Sequence, residues 1–195
     1  FIPIGVFFGG LGGGEDDGGS ASGPEQSAVE SDGSSLRSQC GVISSGEKHS
    51  SLSLDSGEMV SVRALEPDLV VITRKDGEQA GNQQLVALQG LSAGDLSTYE
   101  RQKGINLINK EARTAYFVSG GSECNIQVDG GGQGVVGQIF TMTGQNVNEL
   151  LISKGAAKAS GDDGCGGAEL KSCYDSIPVE KEFSTTVVNK FLWKP

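Results

Sequence analysis

Apolar residues along the chain fall into short runs of strand length broken by turn residues, with two stretches of helical spacing. Met59–Ala64, Leu69–Arg74 and Gln83–Leu88 alternate or run apolar, the texture of β-strands. Asp76-Gly77, between the second and third, signals a hairpin turn, because glycine accepts positive φ. From Leu96 to Arg113 the pattern becomes helical. Ser97 or Thr98 stands at its N-cap, Glu100 in its first turn, and Leu96, Tyr99, Ile105, Leu107 and Ile108 form its apolar positions. Gly104 weakens its middle by ~1 kcal/mol relative to Ala. TAYFVS and CNIQVD are strand candidates flanking GGSE. The most informative stretch, Val135–Ser160, predicts a strand (Val136–Met142) and a turn at Thr143-Gly144. A helix follows, opened by Asn146 or Asn148 and closed by Gly155, with Val147, Leu150, Leu151 and Ala156 near one face.

Three strands, a helix, one or two strands, a further strand and a helix is the order of an OB-type barrel carrying helices. The expected class is therefore mostly β with α: a five-stranded barrel, two to three helices, and extended N- and C-terminal tails. Residues 1–39 read as a Gly/Ser-rich acidic tail with too little apolar surface to offset its ordering entropy. Residues 40–176 read as the barrel domain, with GDDGCGGAELKSCYDS as a loop carrying its own cysteine pair. Residues 177–195 read as an extended arm that alternates at Phe183–Val188. The chain starts at Phe1 rather than Met, which suggests a processed or truncated terminus.

FIPIGVFF breaks the polar character of the tail. Phe1, Ile2, Ile4, Val6, Phe7 and Phe8 would form a contiguous apolar patch in water, which soluble monomers rarely tolerate. It is expected to anchor on a protein partner or, alternatively, on a membrane surface. Phe191, Leu192 and Trp193 make a weaker anchor of the same kind.

A formal net charge of −10 argues against a non-specific grip on nucleic acid, which rests on Lys and Arg neutralising phosphates. No apolar run is long enough for a transmembrane helix. The four cysteines, Cys40, Cys124, Cys165 and Cys173, include no Cys-x-x-Cys pair, and His49 is the only histidine, so a zinc site is poorly supported. Disulfides in an oxidising compartment fit better: secreted, periplasmic, or an organellar lumen such as that of the thylakoid. The short glycine-containing loop between Cys165 and Cys173 makes that pairing the easier one, leaving Cys40 to pair with Cys124.

The segment Gly-x-Ile-Phe-x-x-x-Gly-x-x-Val-Asn-x-Leu-Leu-x-x-Lys-Gly-Ala-Ala resembles the last strand and following helix of the staphylococcal-nuclease family. The resemblance implies a barrel over roughly Cys40–Tyr174, and it locates the catalytic positions. Asp68, in LEPDLVVI, stands where the family's first calcium-binding aspartate would be. In QLVALQGLS, Gln84 falls at an arginine, Gln89 at the second metal aspartate and Ser92 at the glutamate. Gln138 falls at the second arginine.

Phosphodiester hydrolysis needs carboxylates to hold a metal and cations to meet developing charge. Glutamine brings neither a charge nor a bidentate fork. Loss of a single transition-state arginine costs about 10³–10⁵ in rate in other phosphoryl-transfer systems, so no nuclease is expected, and no cofactor. Asp68 reads best as a turn residue, His49 as an exposed side chain of a Ser-rich loop, GGGQG as a hairpin loop, and Glu15–Asp17 and Asp162–Asp163 as solvated loops. The expected role is a non-catalytic scaffold: an accessory, protein-binding subunit of a larger assembly. Two alternatives are a secreted metal-dependent nuclease read in the wrong register, and an OB module for nucleic acid, which needs a groove of basic and aromatic residues.

Overall fold

The predicted strands close on one another. In the computed structural model, residues 35–128, 132–161 and 165–180 are described. The strands are β1 (Ser35–Ser44), β2 (Glu47–Ser53), β3 (Glu58–Glu66), β4 (Leu69–Arg74), β5 (Gln83–Leu88), β6 (Leu91–Ser92), β7 (Thr114–Ser119), β8 (Asn125–Val128), β9 (Gly132–Thr141) and β10 (Lys158–Ala159). The helices are α1 (Thr98–Glu111), α2 (Val147–Ser153) and α3 (Gly167–Tyr174).

Strands β5, β4, β3, β7 and β9 pair antiparallel in that order, and β5 then pairs parallel with β9, from Leu85↔Gly134 to Leu88↔Gly137. The result is a closed, mixed five-stranded barrel with a helix between its third and fourth strands, consistent with an OB-fold. This agrees with the class read from the sequence. On β3, Val60, Val62 and Ala64 point inward and Arg63 and Leu65 outward, the alternation that buries one face of a strand. Val70, Ile72, Val86, Leu88, Ala115, Phe117 and Ile139 complete the lining, and Ile108, Val147, Leu151, Leu170 and Tyr174 bring all three helices onto the same core.

The local signals behave as expected. Gly77, with φ +79°, forms the β4–β5 turn, and Gly144, with φ +80°, the turn before α2. Ser97 caps α1 in a full capping box with Glu100. Hydrogen bonds from the Ser97 hydroxyl and its backbone N–H hold the Glu100 carboxyl below its ordinary pKa. Asn146 caps α2 by accepting from the backbone of Asn148 and Glu149.

Three features differ from expectation. The barrel is preceded by an antiparallel hairpin, β1–β2, which starts at Ser35 within the stretch read as tail. Its sequence is serine-rich, and β2 is largely exposed, so little periodicity marks it. GDDGCGGAELKSCYDS was read as a loop, but Gly167–Tyr174 is helical; α3 follows Gly166 at φ +86° and has no side-chain cap, so the usual start signal is missing.

The third correction concerns the cysteines: the disulfide joins Cys40 to Cys173, with Cα atoms 5.5 Å apart, while Cys124 and Cys165 stand outside any disulfide. Cys165 lies two residues before α3 and Cys173 in its last turn, so about 9 Å of helix rise separates Gly167 from Cys173, a rigid spacing that keeps Cys165 from closing on Cys173. Cys40 instead faces α3 from β1. Closing a loop of 133 residues stabilises by about 5 kcal/mol on the chain-entropy model. Such a bond belongs with an oxidising environment.

Candidate functional site

The residues that the nuclease resemblance singles out divide into a fully buried pair and a partly buried pair. Gln138, on β9, is fully buried. Its Oε1 accepts from the backbone N–H of Ile43 at 3.0 Å, and its Nε2 lies 3.3 Å from the Gly41 carbonyl and 3.4 Å from the Tyr174 hydroxyl. One amide thus bridges the barrel wall, β1 and α3. The donor and acceptor of a neutral amide match this environment; a guanidinium, which only donates, does not.

Gln89, just beyond β5, is also fully buried. Its backbone N–H donates to the Gly137 carbonyl at 2.8 Å, and its carbonyl accepts from Asn148 Nδ2 at 3.0 Å. Its side-chain Nε2 donates to the Cys165 carbonyl. The segment leading into α3 therefore packs against Gln89, the position that the nuclease resemblance gives to a metal-holding carboxylate. Among the described residues, Gln89 Oε1 and Asn146 Nδ2 are buried without a hydrogen-bond partner.

Gln84 and Ser92 are only partly buried and lie apart from this network. Gln84 Oε1 accepts from Arg74 Nη2 at 2.9 Å, and Arg74 Nε pairs with Glu58 at 2.5 Å. Ser92 Oγ accepts from the Gly94 N–H at 3.1 Å. Asp68 lies in the β3–β4 turn and accepts from the Ala93 N–H at 2.7 Å, which ties that turn to the segment just after β6. Among the described residues no group of three or more His, Cys, Asp or Glu side chains could share a metal ion. The four glutamine and serine positions are thus not assembled into one open site.

His49 lies in β2, paired with Val42 of β1, rather than in a loop, and is half-buried. The Gln133 and Gly134 end of GGGQG is the start of β9, also not a loop. A Cβ at Gly134 would come within 2.9 Å of the Leu85 carbonyl, so glycine permits the close approach of β5. Phe1, Ile2, Ile4, Phe7 and Phe8, Phe191, Leu192 and Trp193, and both acidic clusters, lie outside the described residues.

Sequence reasoning missed Glu149, in the first turn of α2. Its carboxylate accepts from Ser38 Oγ at 2.5 Å, the Cys40 N–H at 2.8 Å and the Gln39 N–H at 3.2 Å. It clasps the irregular part of β1, where register shifts between Arg37 and Val42. The sequence placed Glu149 beside a cap; nothing in it pointed to a strand 109 residues upstream.

A cleft of about 460 Å³ opens across β4, β5, β8 and β9. Its lining is dominated by the carboxamides of Asn82, Gln83, Gln84, Asn125 and Gln133; its one cation is the ion-paired Arg74, and it has no aromatic ring. The chain matches no protein-family model and no curated protein sequence.

Proposed function

We propose that the protein is a degenerate, staphylococcal-nuclease-like barrel retained for binding and scaffolding, an accessory subunit of a larger assembly in an oxidising compartment. The observation that carries this reading is Gln138. At the position of a catalytic arginine, the chain has a fully buried neutral amide engaged by its own β1 and α3. Gln89 and the segment at Cys165 support the reading in the same way. The apolar segment Phe1–Phe8 and the Phe191–Trp193 cluster are the proposed partner contacts, with a protein surface preferred to a membrane. The Cys40–Cys173 bond supports an extracytoplasmic location: secreted, periplasmic or lumenal.

The nuclease alternative lacks support in the arginines. Arg74 is paired with Glu58, and Arg101 with Glu66 at 3.2 Å, while Arg63 and Arg113 are exposed. The carboxamide-lined cleft gives a nucleic acid neither stacking platforms nor unpaired cations. Purified protein with added calcium is expected to leave single-stranded DNA and RNA uncut above a buffer control. Metal-dependent cleavage abolished by Asp68→Asn would replace this reading with the nuclease one.

A further inference from the structure

The Cys40–Cys173 disulfide lies at the wall of a surface cleft of about 290 Å³ on the outer side of the β1–β2 hairpin. The two cysteines are unequal. Cys40 is 2% exposed, whereas Cys173 is half-buried. Lys48 and His49, from β2, line the same cleft. Lys48 is brought there by Gly41, the residue after Cys40. Gly41 has φ +95°, and a Cβ on it would sit 2.5 Å from Lys48 Cε and 3.0 Å from Lys48 Cγ. The missing side chain leaves the channel in which the Lys48 stem runs. Among the described residues Lys48 makes no ion pair, so its ammonium charge is not neutralised by a neighbouring carboxylate.

A disulfide beside a cation in an open cleft has the parts needed for exchange. The attacking species is a thiolate, the more accessible sulfur is the target, and a nearby positive charge stabilises the departing thiolate. We propose that this cleft is a thiol–disulfide exchange site for a dithiol reductant, with Cys173 as the sulfur attacked and Cys40 as the leaving group. The incoming thiolate forms a bond to Cys173 Sγ, the Cys40–Cys173 bond breaks, and its electron pair leaves on Cys40 Sγ in the cleft that Lys48 also lines. The second thiol of the reductant then attacks the mixed disulfide, releases the Cys173 thiolate and departs oxidised. The protein gains two electrons and, on protonation, two thiols. The chemical outcome is a β1 no longer covalently tied to α3, with the Glu149 carboxylate and the Gln138 amide still hydrogen-bonded to it.

The test uses the full chain under native conditions, with Cys124 and Cys165 first capped by an alkylating reagent. Reduced glutathione is added, the mixture is acid-quenched, and the adduct is located by peptide mapping. The rate of reduction by dithiothreitol is then followed against its concentration. The expected adduct is on Cys173, with a rate that rises linearly with dithiothreitol. Lys48→Met should slow reduction about fivefold, the factor for one unit charge near 4 Å in water, and Lys48→Arg should restore it at unchanged melting temperature. An adduct on Cys40, a rate that plateaus at the speed of unfolding, or a Lys48→Met protein reduced as fast as the parent overturns the proposal.

Discussion

At the scale of single residues, Gln138 decides the reading. Its two amide ends meet a donor at Ile43 and acceptors at Gly41 and Tyr174 inside a buried interface. Gln138→Leu keeps the volume but leaves the Ile43 N–H and Gly41 carbonyl without partners, at a cost of about 1–3 kcal/mol. Gln138→Arg, the change that would restore a nuclease-like cation, buries a charge with no counter-ion and costs more, about 3–5 kcal/mol. Urea denaturation of the three proteins measures this order; an arginine variant as stable as the parent would show that the site is open to water. The position was singled out in the sequence by its resemblance to the nuclease pattern. Its burial was not legible, because the groups that enclose it lie 95 and 97 positions upstream on β1 and 36 positions downstream on α3.

At the scale of elements, the β1–β2 hairpin is the addition that distinguishes this chain from a bare barrel. Leu36 and Val42 of β1 cover Val118 and Phe140 of the barrel's outer face in a second small core. The hairpin is held by the disulfide, by the Gln138 bridge and by the Glu149 clasp on Ser38, Gln39 and Cys40. Glu149→Ala removes a carboxylate that accepts three hydrogen bonds, and charge-assisted bonds contribute about 1.5–3 kcal/mol. Faster amide exchange confined to β1 and β2, with the barrel strands unchanged, is the expected result. Equal loss of protection throughout would mean that hairpin and barrel open as one unit. The barrel strands were legible because each has one face in the core and its pattern says so. The hairpin was not, since β2 reads EKHSSLS, with Leu52 as its one aliphatic residue, and no alternation marks it. Helix α3 was hidden for a related reason: its start is all glycine, and its stabilising contacts are Leu170 and Tyr174 reaching the distant core.

At the scale of the whole molecule, strand order was the readable quantity. The run of strands around one helix foretold the barrel and its closure, which depends on β5 meeting β9 across a long connection. The cysteine pairing could not be read in the same way. It depends on where β1 and α3 lie in space, and neither element was visible in the pattern. The expectation of an oxidising compartment, drawn from four cysteines with no Cys-x-x-Cys pair and a single histidine, is in keeping with the Cys40–Cys173 bond.

The proposed role as a binding subunit rests on Phe1–Phe8 as the anchor. Burial of large apolar side chains contributes about 1.5–3 kcal/mol each, offset in part by ordering of the flanking chain. The direct measurement is size-exclusion chromatography of an extract from the native source supplemented with tagged protein, with and without residues 1–8, alongside the melting temperature of each purified form. The full chain is expected to elute within a larger assembly and the shortened one alone, while both melt together. Elution of the full chain as a lone monomer, or a fall in melting temperature that accompanies the loss of assembly, would contradict it.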